Sequence, residues 1–363
     1  MQRPTLILRL VILLSVALAL LVGLGAGLAR LGVSVDALSA QRGAAHGPLM
    51  ISGFLGTLIC MERAVALAAL GPRYRFVYFV PLLSALGTVI LLLGGISIIG
   101  KGLLLLAAIG LMSLFGIMWR RHPAPYIGIM ALGAFSWLAG NFIWTLDQPI
   151  YQTAHWWVAF LVLTITGERL ELSRIQRLSS ASQRALLVIS IAYILSVGLT
   201  LANLDIGVRA VGISLIAVAL WLLRFDIAGK AVQKQGLPRY VATCLLIGYI
   251  WLLVGGVVGI LSGAVYAGPI YELLLHSVLL GFVFSMIFGH APIILPSLTG
   301  LQISFNPLLY LPLALLHLAL AYRAYGDLAG DVVARQQGGI FNAVAILLFF
   351  ALMVYTLLKS RRA

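Results

Sequence analysis

The sequence predicts an all-α polytopic membrane protein of about twelve transmembrane helices, one transmembrane domain over residues 1–363. Three observations predict it. The 363 residues are 62% hydrophobic and 9% charged, whereas a soluble domain carries about 25% charged residues. Apolar runs of spanning length recur along the chain, and in a bilayer each must satisfy its backbone internally, so they are helices. The 24 basic and 10 acidic residues fall mostly between those runs.

Taken in order, span 1 (6–29) follows Arg3 and Arg9; its apolar run is too long for a signal peptide and lacks a clear cleavage site. Span 2 (46–69) opens at His46 and stops before Gly71-Pro72-Arg73. Spans 3 (76–98) and 4 (102–119) are separated by Gly100-Lys101, and Arg120-Arg121-His122-Pro123 closes the pair. Spans 5 (126–146) and 6 (154–172) flank Asp147-Gln148-Pro149, and the Arg174–Arg184 stretch leads to span 7 (185–202). Spans 8 (209–225) and 9 (240–264) enclose the basic stretch Arg224–Arg239. Spans 10 (271–296), 11 (307–325) and 12 (339–358) follow, and the connection 297–306 carries no basic residue.

With the N-terminus inside, sixteen basic residues fall on the inner side and six on the outer: Arg30, Arg42, Lys101, Arg209, Arg323 and Arg335. Such asymmetry marks the cytoplasmic face, so a bacterial inner membrane with both termini cytoplasmic is expected. The net charge of +14 is therefore a topology signal, and no nucleic-acid partner is expected. His122 belongs to an inner loop and receives no chemistry. Cys60 and Cys244 lie in apolar runs and offer no disulfide framework. Phosphate-cradling, dinucleotide, serine-hydrolase and covalent-haem motifs are absent, which argues against nucleotide-driven transport and serine hydrolysis.

Spans 2 and 6 share Phe-Leu-x6-Glu-Arg, as Phe54-Leu55 to Glu62-Arg63 and Phe160-Leu161 to Glu168-Arg169. Span 10 joins the frame with Phe282 and, eight residues on, His290. His46, His155 and His276 precede the shared phenylalanine by eight, five and six residues, a spread of about 4.5 Å along a helix. The pattern predicts four-helix repeats over 1–120, 121–230 and 231–363.

Ionisable side chains within spans are costly, so His46, Glu62, Arg63, His155, Glu168, Arg169, Glu171, Glu272, His276, His290 and His317 are the candidates for chemistry. Glycines 43, 47, 53 and 56 around His46 admit either close helix packing or a flat cofactor. Glu272, one turn before His276, is placed for its carboxylate to orient the imidazole. His290 is about 21 Å further along the helix, so the two histidines cannot share one metal. Pro292 and Pro296 loosen that end and free carbonyls that a buried histidine can bind. Glu62-Arg63 and Glu168-Arg169 are either ion pairs joining the repeats, each glutamate with an arginine of another helix, or proton-path elements. His155 opens His-Trp-Trp at an interface, and His317 is expected to be a helix-contact residue.

The runs His-x3-Met-x2-Gly-Phe (His46, Met50, Gly53, Phe54) and His-Ser-x3-Gly-x4-Met-Ile-x-Gly-His (His276, Ser277, Gly281, Met286, Ile287, Gly289, His290) resemble the NnrS-like membrane proteins, a haem- and copper-containing family linked to nitric oxide stress. More distantly, the architecture is similar to the core subunit of haem–copper oxidases and nitric oxide reductases. The resemblance implies haem held by His46 and His276, with copper or a second haem at His155 and His290. It departs at span 7, where the oxidases carry a copper-binding histidine pair and this chain has none. The expected function is therefore haem binding in nitric oxide or respiratory redox metabolism, with a diatomic gas or a redox protein as partner and turnover left open. A metal-free proton-coupled transporter or channel, acting through Glu62, Glu168, His276 and His290, and a respiratory assembly factor are the alternatives.

Overall fold

The computed structural model describes residues 3–176, 178–299 and 305–360, and every regular element among them is helical. Arg177, Arg361 and Arg362 of the charge asymmetry, and 300–304 of the uncharged connection, lie outside the described residues. Among the described residues, eleven helices are long and apolar enough to cross a membrane: Leu6–Arg30, Gly43–Ala68, Pro72–Gly94, Ile98–Arg121, Pro125–Thr145, Ser180–Ala202, Leu204–Phe225, Leu237–Ser262, Pro269–Ile294, Pro307–Ala329 and Val332–Lys359. They are spans 1 to 5 and 7 to 12 of the sequence, and the protein is an all-α polytopic membrane protein.

Span 6 is the helix Ile150–Leu172, 23 residues long. Glu168, Arg169 and Glu171 lower its hydropathy, and it is not among the eleven. Its run 153–164 is wholly buried, so this helix is solvated by protein along much of its length and needs less apolar surface.

Compactness divides the chain into two units, Met1–Ile127 with Ala134–Trp157, and Gly128–Gly133 with Val158–Ala363. The division falls within spans 5 and 6, at a place the four-helix repeats do not mark. In the first unit, span 1 packs on the early stretch of span 2, and span 3 packs on span 4. Its polar core includes one linked set: Trp137 donates to Ser52 Oγ at 3.0 Å, Ser52 Oγ donates to Asn141 Oδ1 at 3.4 Å, Trp157 donates to Asn141 Oδ1 at 3.0 Å, and Asn141 Nδ2 donates to the Leu104 carbonyl at 3.2 Å. Gly53 and Gly56 serve packing here, since a Cβ would lie 3.0 Å from Thr88 Cγ2 at the first and 2.6 Å from Trp137 at the second. The cofactor alternative for those two glycines is thereby filled by protein.

In the second unit, spans 7 and 8, 8 and 9, and 11 and 12 pack pairwise, and span 9 lies against span 10. Spans 8 and 9 touch backbone to backbone. A Cβ at Gly212 would sit 2.5 Å from the Gly256 carbonyl oxygen, and one at Gly256 would sit 2.7 Å from that of Gly212. Small residues allow such approaches between membrane helices. Gly212→Val therefore forces the touching backbones apart and is expected to cost at least ~1–3 kcal/mol. The check is the unfolding midpoint of the detergent-solubilised protein, compared with Gly229→Ala, where a Cβ meets nothing within 4 Å. Gly263 ends span 9 at φ +59°, and a Cβ there would fall 1.9 Å from Asp205 Oδ1. Asp205 in turn pairs with Arg209 at 3.0 Å.

Besides Arg30, which ends the helix Arg3–Arg30, four residues assigned to outer connections belong instead to helices. Lys101 is buried in Ile98–Arg121, where it binds Asp147 and lies 5.2 Å from the centre of the Trp144 ring. Arg209 lies in Leu204–Phe225, Arg323 in Tyr310–Ala329 and Arg335 in Val332–Ser360. Each has a carboxylate partner, which is what allows a charge to enter the helix from its end.

Candidate functional site

Two histidines share a local structure. His46 is followed by a π-helical segment, Leu49–Gly56, and His276 by another, Ser277–Phe284. Each segment has eight residues, almost all buried, with Gly-Phe at its fifth and sixth positions: Gly53-Phe54 and Gly281-Phe282. Such i→i+5 winding is rare and recurs at functional sites. Span 6, the third member of the sequence frame, is an ordinary α-helix through His155 and Phe160.

The imidazoles are held alike. His46 Nδ1 lies 2.8 Å from the Gly23 carbonyl oxygen, and His276 Nδ1 lies 2.8 Å from that of Glu272. A carbonyl only accepts, so Nδ1 carries a proton in both rings, and in the neutral imidazole Nε2 then carries the lone pair. This is the tautomer in which a metal-ligating histidine is held by a backbone carbonyl. Span 1 supplies the seat for His46: a Cβ at Gly27 would lie 2.7 Å from the ring's Cε1, and one at Gly23 would lie 2.7 Å from Met50 Sδ. Gly25 admits Ser39 of the short helix Ala37–Gln41, capped by Asp36, which accepts the Ser39 N–H at 3.0 Å. Hydrogen bonds from Ser39 hold the Asp36 carboxyl below the usual range.

The bond that orients His276 comes from the Glu272 main chain and not from its side chain, which corrects the expected role of that carboxylate. The carboxylate accepts from Arg323 Nη2 at 2.7 Å and has Arg335 Nη2 at 3.7 Å. Arg335 also binds Asp327 at 2.6 Å, and Asp327 stands 4.0 Å from Arg323 Nε. Four charges of alternating sign thus fix the turn that carries His276.

A second network surrounds His290. Arg169 grips Asp226 with two hydrogen bonds, Nε to Oδ2 at 2.8 Å and Nη2 to Oδ1 at 3.0 Å, both side chains being almost fully buried. Its Nη1 donates to His290 Nε2 at 3.1 Å, while His290 Nδ1 donates to the Met286 carbonyl at 2.8 Å. Both ring nitrogens of His290 are thus engaged by protein, with the Nε2 lone pair directed to a guanidinium. The carbonyl used precedes that of Phe288, the one Pro292 frees.

The remaining candidates stand apart. Arg63 binds its own neighbour Glu62 at 2.9 Å, its long guanidinium stem curling back along the helix surface. Glu168 and Glu171 are half-buried on span 6. His155 is 3% exposed, with no hydrogen-bond partner for Nε2 among the described residues. His317 meets Ser285 Oγ at 3.3 Å through Nε2. Among the described residues, no three His, Cys, Asp or Glu side chains gather as a metal site.

A family model described as a domain of unknown function, DUF8744, matches residues 9–358. The chain belongs to this family. No curated protein and no solved structure matches it. In this DUF8744 chain, sequence reasoning missed Asp226, Asp327, Arg323 and the glycines of span 1. The two aspartates sit at or near helix ends, where a charge reads as solvated. Gly23-x-Gly25-x-Gly27 was a visible signal, since three glycines in five residues of a spanning helix mark a surface that others approach.

The seat of His46 is testable. Gly27→Val places methyl groups where the ring lies and is expected to break the 2.8 Å bond to Gly23. An imidazole nitrogen-15 spectrum with His46 selectively assigned would show loss of the Nδ1–H tautomer in that variant and its retention in Gly43→Ala, where the nearest neighbour is a flexible Arg30 methylene at 3.8 Å.

Proposed function

We propose that this protein is a haem-binding, NnrS-like protein of the bacterial inner membrane, with both termini cytoplasmic, serving electron handling in nitric oxide or respiratory metabolism. His46 and His276 would each offer Nε2 to haem iron. The observation that carries this reading is their common construction, a carbonyl-held imidazole within one turn before a buried π-helical segment in two different spans. Haem, when bound, supplies a one-electron couple whose potential follows axial ligation and burial. The chain's own role is to hold each ring: the Gly23 and Glu272 carbonyls fix the tautomer, Gly27 gives the His46 ring its room, and the Arg323–Asp327–Arg335 set anchors the turn before His276.

Copper is carried no further, because His155 offers a single buried nitrogen and the Nε2 of His290 is already bonded to Arg169. The metal-free transporter loses some of its suggested path, since Glu62 and His290 are each tied to a neighbouring arginine. The deciding experiment is the visible spectrum and iron content of the protein purified from membranes. A Soret band with near-stoichiometric iron is expected; colourless protein without iron, even after incubation with haem, overturns the reading.

A further inference from the structure

The inner-loop arginines of the first unit form a cluster that the haem reading does not use. The 3-10 segment Pro72–Tyr78 enters span 3 and presents Tyr74 to two guanidiniums. Arg73 lies 4.9 Å from the centre of that ring and Arg121, from the end of span 4, lies 5.3 Å from it. Arg121 also donates to the Tyr74 hydroxyl. These distances cap the separation of the two guanidinium carbons at about 10 Å. Arg75 and Arg120 flank them in sequence, and all four arginines are exposed.

Along the chain no carboxylate lies beside these arginines. Between Glu62 and Asp147 the chain has no Asp or Glu; Glu62 is bound to Arg63, and Asp147 is bound to Lys101 at the opposite end of span 4, about 30 Å away. The cluster stands at the ends of three spanning helices, the depth of the lipid headgroups. Phe76, Phe79 and Trp119 are exposed beside it, apolar surface suited to acyl chains. All four cations are arginine, whose planar fork matches phosphate oxygens in pairs.

We infer that Arg73 and Arg121, braced on Tyr74 and flanked by Arg75 and Arg120, bind the phosphate of an anionic phospholipid headgroup. The aromatic brace holds two long side chains in place before the lipid arrives, so less rotamer freedom is lost on binding.

The test is native mass spectrometry of the full-length protein titrated in detergent with phosphatidylglycerol, cardiolipin or phosphatidylcholine. The anionic lipids are expected to remain bound and phosphatidylcholine to be lost. Arg73→Gln/Arg121→Gln should weaken anionic-lipid retention at least tenfold, whereas Arg224→Gln/Arg239→Gln, which removes as much charge from another basic stretch, should change it less than twofold. If the glutamine pair does not fold, Arg73→Lys/Arg121→Lys keeps the charge but not the fork and should still weaken retention severalfold. Equal losses in both glutamine pairs, retention of all three lipids alike, or displacement by inorganic phosphate at equal concentration overturns the assignment.

Discussion

Replacing His276 by alanine is expected to abolish the Soret band of the purified protein, and His46→Ala is expected to do the same or to leave a shifted high-spin spectrum at reduced iron content. Each substitution removes the only imidazole that its span presents before a π-helical segment. The informative companion is Glu272→Gln. The bond that fixes the His276 ring comes from the main-chain carbonyl of residue 272, and a side-chain change leaves that carbonyl in place. Glu272→Gln should therefore keep the band position while losing the ion pair to Arg323 and with it thermal stability. A carboxylate acting on the imidazole itself would instead shift the band or the midpoint potential in Glu272→Gln. His290→Ala should retain the Soret band, because Arg169 occupies the lone pair of that ring. Loss of the band in His290→Ala, with its persistence in His276→Ala, would reverse the ligand assignment.

The second large effect is on stability. Asp226→Ala leaves the Arg169 guanidinium buried without its carboxylate and the Ala228 N–H, 2.7 Å from Asp226 Oδ1, without its acceptor. Removing one member of a buried pair costs roughly 3–5 kcal/mol, because the remaining charge stays out of water. Replacing both charges by leucine should be markedly less harmful than either single change, since no lone charge remains, so the double-mutant cycle should show strong coupling. The measurement is reversible unfolding in detergent, or loss of folded protein on heating where unfolding is irreversible. Single variants that unfold within about 1 kcal/mol of the parent would mean that water reaches the pair and screens it.

These networks show where sequence reasoning stopped. His46, His155 and His276 were legible as candidates because histidine is rare in this chain and its spacing from Phe54, Phe160 and Phe282 nearly repeats. Arg169 was legible as a buried charge needing a partner on another helix, yet Asp226 was not, because the last residue beyond an apolar run carries no mark of being enclosed. Lys101 was misplaced for the same reason: a cation between two apolar runs looks solvated until Asp147, far along the chain, comes to meet it.

By itself the sequence determined the solvent and the element type. A chain with 9% charged residues cannot make a water-facing surface, and lipid admits backbone only when a helix satisfies it internally. It also determined which few polar side chains would have to be explained. Only the tertiary structure decided what each one does, because a hydrogen bond or an ion pair depends on atoms brought together from distant segments. The carbonyl that holds His46 comes from span 1, 23 residues earlier, and the guanidinium that engages His290 comes from span 6, 121 residues earlier. The π-helical winding after His46 and His276 also lay beyond the sequence, because its composition is that of any apolar helix and its extra residue per turn is registered only in which carbonyl each N–H reaches.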